Sequence, residues 1–256
     1  MRLRTILRYA RLRYLVASHL GWCCVCGRRT LFVVTDPVTI RENAWCPWCR
    51  SSSRNRHVAK CVVELLRARG LRCLKDLGAV GSLSIYNMSA SGCFAGVWGT
   101  RDHIVCSEYF EGRASGEWVD GVLCENVEAL SFPAESFDLV VSEDVFEHVR
   151  DYRRGFEEVR RVLKPGGHHV FSVPLGFEHP TTSRFESRDG QEVAVLPLQR
   201  HGDPIRGQIL AYTSFGYDLL DHLREAGFRA SLDVSRYAEQ RRCGTFDSYT
   251  FITQKA

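Results

Sequence analysis

The sequence predicts an α/β protein in which a doubly wound, mostly parallel sheet of seven strands follows a small cysteine-rich module. From residue 71 onward, short apolar runs alternate with longer amphipathic stretches. This alternation is typical of a parallel sheet with helices on both faces. Two C-x-x-C pairs lie before residue 58. The chain has 256 residues, enough for one large core and one small extra module.

The two cysteine pairs indicate a structural zinc site. Cys23 and Cys26 form the first pair and Cys46 and Cys49 the second, with nineteen residues between the pairs. This spacing is typical of tetrahedral zinc sites, and four thiolates leave no open position for a substrate water. Cys24 is an alternative ligand in the first pair. A redox function of the C-x-x-C pairs is the competing interpretation.

Charge divides the chain into two parts. The first 72 residues carry fifteen basic and three acidic side chains, although the net charge of the whole chain is only +4. Such a basic segment favours an anionic partner such as nucleic acid, an acidic substrate or a membrane surface. A solvated surface, partly paired with an acidic neighbouring domain, is the alternative. We predict a basic N-terminal helix over 1–20, a zinc ribbon over 21–57 and an α/β domain over 58–256.

Composition also bears on location. No stretch approaches about 18 uninterrupted apolar residues, so we expect no transmembrane segment. The eleven cysteines include several within apolar runs and accompany no secretory signal pattern, which is typical of reduced cysteines in a cytosolic protein. We therefore expect a cytoplasmic location.

The periodicity of apolar residues predicts the individual elements. The seven predicted strands cover residues 71–77, 103–107, 119–123, 137–142, 168–173, 229–234 and 249–253. Helical spacing predicts helices over 54–69, 82–90, 151–163 and 214–226, and a short hairpin is expected over 30–40. The polar, proline-containing stretch 175–208 is expected to be a lid-like insertion.

Three segments carry a resemblance to a known family: Leu130–Ser142 (LSFPAESFDLVVS), Val145–Val149 (VFEHV) and Arg161–Gly167 (RVLKPGG). Together they resemble class I methyltransferases that use S-adenosylmethionine (SAM), of the methyltransferase type 11-like kind. The stretch Glu42–His57 resembles the zinc-ribbon head found on a bacterial subgroup of these enzymes. The resemblance implies a Rossmann-like methyltransferase fold over about residues 71–253, so the domain over 58–256 is expected to be a methyltransferase domain.

The resemblance also implies where the cofactor binds, since ligands of such sheets lie outside the carboxyl ends of the strands. It assigns Gly78 and Gly81 to the amino acid part of SAM, Glu108 to the ribose, Glu125 and Asn126 to the adenine, and Ser142 and Glu143 to the methyl group. The glycine motif, Asp76–Gly81, is one glycine shorter than the family pattern.

Candidate catalytic residues lie in two places. His201 and Asp203, in the stretch His-Gly-Asp-Pro, are a candidate general base for a hydroxyl acceptor. Gly-Asp-Pro also favours a turn whatever the chemistry, which is the alternative interpretation. His148 is the other candidate, although a histidine at a helix start more often packs or caps.

We therefore expect SAM-dependent methyl transfer to a small-molecule or glycan-precursor acceptor. One alternative is an RNA methyltransferase that binds nucleic acid through the basic ribbon. The other is a non-catalytic binding protein on a degenerate methyltransferase fold. SAM binding distinguishes the second alternative from the enzymes, and salt-dependent RNA binding distinguishes the first.

Overall fold

The chain separates into two units, each assembled from more than one segment. The computed structural model describes residues 18–188, 191–203 and 206–256. The first unit contains the described residues up to Leu83, together with Ser91–Ile104 and Leu232–Thr250. The second contains Ser84–Ala90, Val105–Ser231 and Phe251–Ala256. The domain boundary expected near residue 57 stays a prediction.

Strands and helices are numbered in chain order. The strands are β1 (Ser18–Trp22), β2 (Arg29–Val34), β3 (Ala44–Trp45), β4 (Ile85–Asn87), β5 (Ile104–Glu108), β6 (Trp118–Val119), β7 (Val122–Cys124), β8 (Phe137–Glu143), β9 (Leu163–Ser172), β10 (Leu175–Gly176), β11 (Thr182–Ser183), β12 (Phe185–Arg188), β13 (Gln191–Ala194), β14 (Arg200–Asp203), β15 (Gly207–Leu210), β16 (Thr213–Gly216), β17 (Phe228–Val234) and β18 (Tyr249–Lys255). The α-helices are α1 (Ile40–Asn43), α2 (Ser53–Leu65), α3 (Gly92–Trp98), α4 (Tyr152–Val162), α5 (Leu219–Glu225) and α6 (Tyr237–Cys243).

In the first unit, a three-stranded sheet of order β1-β2-β3 precedes the long helix α2. Ser52 begins α2 with a capping box, in which its hydroxyl accepts from Asn55 N and the Asn55 side chain accepts from Ser52 N. A 3₁₀ turn over Arg67–Arg69 and a left-handed Gly70 (φ 76°) end the helical segment. The helix predicted over 54–69 is therefore confirmed.

Two sequence-based predictions concern the start of the chain, a hairpin over 30–40 and a helix over 1–20. The hairpin over 30–40 is wrong, because β2 ends at Val34 and no strand follows it before residue 40; β2 pairs with the preceding strand β1 and with the later strand β3. Of the predicted helix over 1–20, residues 18–20 lie in β1, and residues 1–17 lie outside the described residues.

The large sheet has the order β6-β7-β5-β4-β8-β9-β18-β17. The pairs β5–β7, β4–β8 and β8–β9 are parallel, whereas β9–β18 and β6–β7 are antiparallel. After β4, the chain adds strands on one side of it and then returns to add β8 on the other. Ligands bind at such a reversal, outside the carboxyl ends of the strands.

The sheet has eight strands where seven were predicted, because the segment 119–123 is split. Asp120 and Gly121 both adopt left-handed conformations, with φ of 48° and 79°. These conformations turn the short edge strand β6 back onto β7.

The first strand of the sheet lies later in the chain than predicted. Residues 71–77 form no strand, and a 3₁₀ helix covers Leu74–Ala79. The strand is β4 (Ile85–Asn87), inside the segment 82–90 that was predicted as a helix. All three residues of β4 are buried, so the strand lacks the alternation of polar and apolar residues that identifies half-buried strands.

The described part of the insertion 175–208 is built from short strands. It includes the hairpin β12–β13 and strand β14, which pairs with β15. The helix predicted over 214–226 is shorter than expected, because β16 takes its first residues and α5 begins at Leu219. Within the described residues, no helix is long and apolar enough to cross a membrane.

The core of the sheet is aromatic around β9. Phe171 on β9 stacks on His169, with ring centroids 4.4 Å apart. Phe146 and Phe156, the latter on α4, pack against the same cluster. All four side chains are buried, so they fix α4 and the turn after β8 against the strands.

Candidate functional site

Four cysteines converge in the first unit. The Sγ atoms of Cys23, Cys26, Cys46 and Cys49 all lie within 4.8 Å of one another. Cys23 Sγ is 3.7 Å from Cys49 Sγ, and Cys26 Sγ is 3.9 Å from Cys46 Sγ. A tetrahedral zinc with Zn–S bonds of about 2.3 Å requires sulfur atoms roughly 3.8 Å apart. The donor set and its geometry therefore fit zinc.

The two cysteine pairs have the same backbone structure. In the first pair, Gly27 N donates to Cys23 O over 2.8 Å, and in the second Arg50 N donates to Cys46 O over 2.8 Å. Gly27 and Arg50 both have positive φ, 70° and 62°. This shared turn points both thiols of a pair toward one centre.

Cys24 does not join this cluster. It is buried, and its thiol forms a hydrogen bond with Cys243. The choice between Cys23 and Cys24 left open by the sequence therefore falls on Cys23.

A buried arginine lies behind the cysteines. Arg56 is fully buried, and its guanidinium donates to the carbonyl oxygens of Ser51 (2.6 Å), Ala44 (3.0 Å) and Gly244 (2.6 Å). Burial lowers the pKa of Arg56, and the negative charge of the nearby thiolates opposes that shift. Sequence patterns give no signal for this residue, because its acceptors are backbone oxygens.

In the second unit, a cavity of about 610 Å³ lies at the carboxyl ends of the strands. Its lining includes Met88 after β4, Glu108 at the end of β5, and Asn126 after β7. β5 and β7 are parallel neighbours, so their carboxyl ends lie at one edge of the sheet, and Met88 after β4 lines the same cavity. This is the position that the sequence predicted for a cofactor.

Glu108 is held in a defined orientation. Its Oε1 accepts hydrogen bonds from Ser89 Oγ (3.0 Å) and from Ala90 N (2.9 Å). The residue is 7% exposed and lines the cavity. The structure therefore places Glu108 next to the segment that follows β4.

The next two predicted residues, Glu125 and Asn126, also line the cavity but have structural partners. The carboxylate of Glu125 accepts from the backbone N of Ser131 (2.9 Å) and from its hydroxyl. Asn126 Oδ1 accepts from Glu128 N (3.0 Å), which forms a local turn.

Ser142 and Glu143 are not among the residues that line this cavity. Ser142 is buried, and its Oγ lies 2.9 Å from His169 Nε2. Burial lowers the pKa of His169 to about 3. Ser142 thus contacts the aromatic core.

Gly78 and Gly81 belong to the first unit, whereas the other predicted cofactor residues belong to the second. Gly78 lies in the 3₁₀ helix over Leu74–Ala79, and Gly81 follows it. Their assignment to the cofactor required a strand that ends directly before them. Neither glycine follows a strand of the sheet, so this requirement is not met. Met88, directly after β4, lines the cavity and was not among the residues predicted from the sequence.

The candidate catalytic histidines are in contact. His148 Nε2 lies 3.2 Å from His201 Nδ1, and His148 Nδ1 lies 2.7 Å from Leu210 O. His201 Nε2 lies 3.0 Å from Gln199 Nε2. Burial lowers the pKa of His148 to about 4. His148 lines the cavity, and the side chain of Asp203 lies outside the described part of the chain.

Four arginines line the same cavity from separate segments: Arg113, Arg150, Arg200 and Arg206. All four are exposed. Arg150 is paired with Glu192 and lies over the ring of Tyr212, 4.7 Å from its centroid. The lining also contains four glutamates, Glu108, Glu111, Glu125 and Glu128, so acidic and arginine side chains are equal in number around the cavity.

Comparison with known proteins bears on this second unit. Residues 99–171 match the family model of a methyltransferase domain. The matched range contains Glu108, Asn126 and His148 and excludes Gly78 and Gly81. It therefore covers β5 to β9 of the sheet and the predicted ribose and adenine residues.

A curated relative agrees with this match. The chain is 30% identical over 107 residues to 24-methylenesterol C-methyltransferase 2 from Arabidopsis thaliana, and the alignment covers 42% of this chain. The chain spans 27% of the length of that relative. Both matches are to methyltransferases, and each covers less than half of this chain.

Solved structures are similar at lower identity. A SAM-dependent methyltransferase from Mesorhizobium loti is 20% identical, with 69% of this chain and 92% of that chain covered and a TM-score of 0.44. One from Methanosarcina mazei is 19% identical, with 68% and 93% covered and a TM-score of 0.41. The description of the large sheet as a doubly wound α/β sheet therefore rests on its own strand order and not on these structures.

Proposed function

We propose that this protein transfers the methyl group of SAM to a small-molecule or glycan-precursor acceptor. The observation that carries the proposal is Glu108. It ends the second parallel strand, lines the cavity at the reversal of the sheet and lies inside the range that matches a methyltransferase domain. A carboxylate in this position can accept hydrogen bonds from both hydroxyls of a ribose.

We assign the amino acid part of SAM to the segment Met88–Ala90 in place of Gly78 and Gly81. This segment follows β4 directly, and its Ala90 N–H bonds to Glu108. Asn126 remains the proposed adenine contact, with Glu125 fixing the turn beside it. Bound SAM would supply an activated methyl group, so the main task of the chain is to hold an acceptor in line with it, about 3–3.5 Å away.

Arginines on the cavity wall favour an acceptor with an anionic group, although four glutamates also line the cavity. Its volume of about 610 Å³ is in the range of small-molecule sites. Arg113 and Arg200 on its wall suit a phosphate or carboxylate, because guanidinium groups bind such anions with two parallel hydrogen bonds. Phosphorylated glycan precursors have this chemistry.

We also propose that the four-cysteine cluster binds one structural Zn²⁺, as in the ribbon-bearing subgroup that the sequence resembles. Its support is the close agreement between the sulfur distances and a tetrahedron. Four thiolates and Zn²⁺ carry a net charge of −2, and Arg56 supplies positive charge on one side. The metal would hold the two cysteine pairs together without taking part in methyl transfer.

Calorimetry with SAM tests the proposed function. We expect one SAM per chain and, with radiolabelled SAM, transfer of label to phosphorylated sugars or other small anions. Label in RNA at physiological salt would favour the RNA methyltransferase. SAM binding that never leads to transfer would favour a binding protein, and absence of SAM binding would contradict the proposal.

A further inference from the structure

Beside the cavity, three potential metal ligands lie together. Glu147 Oε1, His148 Nε2 and His201 Nδ1 are all within 4.8 Å of one another. The distances are 3.2 Å between the two imidazole nitrogens, 3.6 Å from His148 Nε2 to Glu147 Oε1, and 3.8 Å from His201 Nδ1 to Glu147 Oε1. We call these residues the Glu147–His148–His201 cluster.

His148 is oriented so that its Nε2 can bind a metal ion. Its Nδ1–H donates to the carbonyl oxygen of Leu210 over 2.7 Å, which leaves the lone pair of a neutral ring on Nε2, facing Glu147 and His201. Histidines that bind metals almost always donate their other ring N–H to a carbonyl or carboxylate in this way. The protein has thus already fixed the tautomer that a cation requires.

His201 can adopt the same state. Its Nε2 lies 3.0 Å from the side-chain amide of Gln199. An amide turned by half a rotation presents its oxygen at the same place and accepts from Nε2–H. The lone pair of His201 is then on Nδ1 and faces the cluster.

The third member is a buried carboxylate. Glu147 is 1% exposed, and burying a carboxylate is costly unless positive charge compensates it. A divalent cation at the centre would supply such charge and would accept a lone pair from each of the three groups.

We propose that the Glu147–His148–His201 cluster binds a divalent first-row transition cation, such as Zn²⁺ or Mn²⁺. Two imidazoles and one carboxylate are the ligand set of several catalytic zinc and iron sites. Metal–ligand bonds of about 2.0–2.2 Å require donor atoms roughly 3–3.6 Å apart, so the observed distances need only small side-chain shifts.

The cation would couple the insertion to the wall of the cavity. His201 lies on β14, and Glu147 and His148 lie in the 3₁₀ turn that follows β8. Arg200 and Leu210, on the paired strands β14 and β15, line the cavity. The bound metal positions this hairpin, and His201 acts as a metal ligand in place of the general base expected from the sequence.

Titration of the full chain with Mn²⁺ tests this inference independently of methyl transfer. The protein is first loaded with zinc at its cysteines, and binding is followed by the loss of the electron paramagnetic resonance signal of free Mn²⁺. Mn²⁺ prefers oxygen and nitrogen ligands over thiolates, so it does not displace the cysteine-bound metal. We expect one Mn²⁺ per chain.

Two variants and a matched control locate the site. Since loss of an outer partner of a metal site costs about 10–100-fold in affinity, Glu147→Gln and His148→Gln should each weaken Mn²⁺ binding at least about a hundredfold. His222→Gln should bind as wild type does, because His222 contacts Tyr152 outside the cluster. Thermal unfolding of each variant shows that it is folded.

Several outcomes overturn the inference. They are a wild-type protein that takes up neither Mn²⁺ nor zinc beyond the cysteine-bound ion, and a Glu147→Gln variant that binds Mn²⁺ as tightly as wild type. SAM calorimetry on the same samples separates the two proposals. SAM binding without a second metal contradicts only the metal site, and metal binding without SAM binding contradicts only the proposed function.

Discussion

The ammonium group of Lys60 lies 2.9 Å from a carboxylate oxygen of Asp233, although 173 residues separate them. Glu239 Oε1 lies 3.0 Å from the same ammonium. Lys60 is 2% exposed. Burial alone would lower the pKa of Lys60, but hydrogen bonds to Asp233 and Glu239 raise it. These ion pairs connect α2 with the end of β17 and with α6.

Replacement of Lys60 by an apolar residue of similar length should therefore destabilise the protein. Lys60→Met leaves two carboxylates facing each other without their cation, and breaking a buried pair in this way costs about 3 kcal/mol. Urea unfolding at pH 7 measures the loss. Lys75→Met, at an exposed lysine of the same unit, should change the free energy of unfolding little.

The loss of stability in the Lys60→Met variant should depend on pH. Burial raises the pKa of Asp233 and of Glu239, but Lys60 together with His57 (for Asp233) and the Arg236 backbone (for Glu239) lowers both on balance. Their pKa values are thus lower in the folded state, so the stability they contribute is present above the unfolded pKa of about 4 and is lost as pH falls. The difference between wild type and Lys60→Met should shrink below pH 4. A constant difference down to pH 2.5 would contradict the ion pairs of Lys60.

His169 makes the protein sensitive to acid. Burial lowers its pKa to about 3, against about 6.5 in the unfolded chain. The unfolded state therefore takes up the proton first, and stability falls as pH drops below about 6.5, by about 2 kcal/mol at pH 5. His169→Phe should lose the hydrogen bond to Ser142 at pH 8 but should lose less stability between pH 8 and pH 5.

Chemical denaturation at the two pH values measures this effect. His179→Phe, at an exposed histidine, is the control and should keep the wild-type acid sensitivity. If His169→Phe and wild type lose equal stability between pH 8 and pH 5, His169 is not the residue responsible.

The cysteine cluster predicts one zinc in the first unit. Structural zinc contributes about 10–16 kcal/mol of apparent binding energy in small domains, so Cys46→Ser should abolish the site and unfold the segment around it. Metal analysis and limited proteolysis measure both effects. Cys93→Ser, in the same unit and outside the cluster, should retain the zinc. Zinc content unchanged in Cys46→Ser would argue against the tetrathiolate site.

SAM affinity should depend on Glu108. A charged hydrogen bond in a partly buried site contributes about 1.5–3 kcal/mol, so Glu108→Ala should weaken SAM binding by roughly ten- to a hundredfold. Glu117→Ala, at an exposed residue outside the cavity, should bind SAM as wild type does. Isothermal titration calorimetry compares the three proteins, and equal affinity for all of them would remove Glu108 from the site.

The parts of the site that the sequence predicted well are those with local signals. The cysteine pairs are recognisable because each C-x-x-C turn is complete within a few residues. The position of Glu108 at the end of a strand was predicted correctly, because β5 is an apolar strand that ends at this carboxylate; its role as a cofactor contact stays a prediction. In both cases, neighbouring residues carry all the information needed.

The parts that were missed depend on distant contacts. β4 has only three residues and is stabilised by pairing with β8, about fifty positions later, while the nearby glycines Gly78 and Gly81 offered a more visible motif. The contact of His148 with His201 joins residues 53 positions apart. Neither relationship leaves a periodic pattern in the sequence.

The bond between Arg56 and Gly244 also bears on the order in which a nascent chain folds. These residues are 188 positions apart, so at about 5–20 residues per second the ribosome needs roughly 10 to 40 s to synthesise the interval. The four cysteines, in contrast, lie within one stretch from Cys23 to Cys49 and can meet a metal ion early. We therefore expect the two C-x-x-C turns to form first, and Arg56 to gain its bonds to Cys243 and Gly244 only after translation has passed β17.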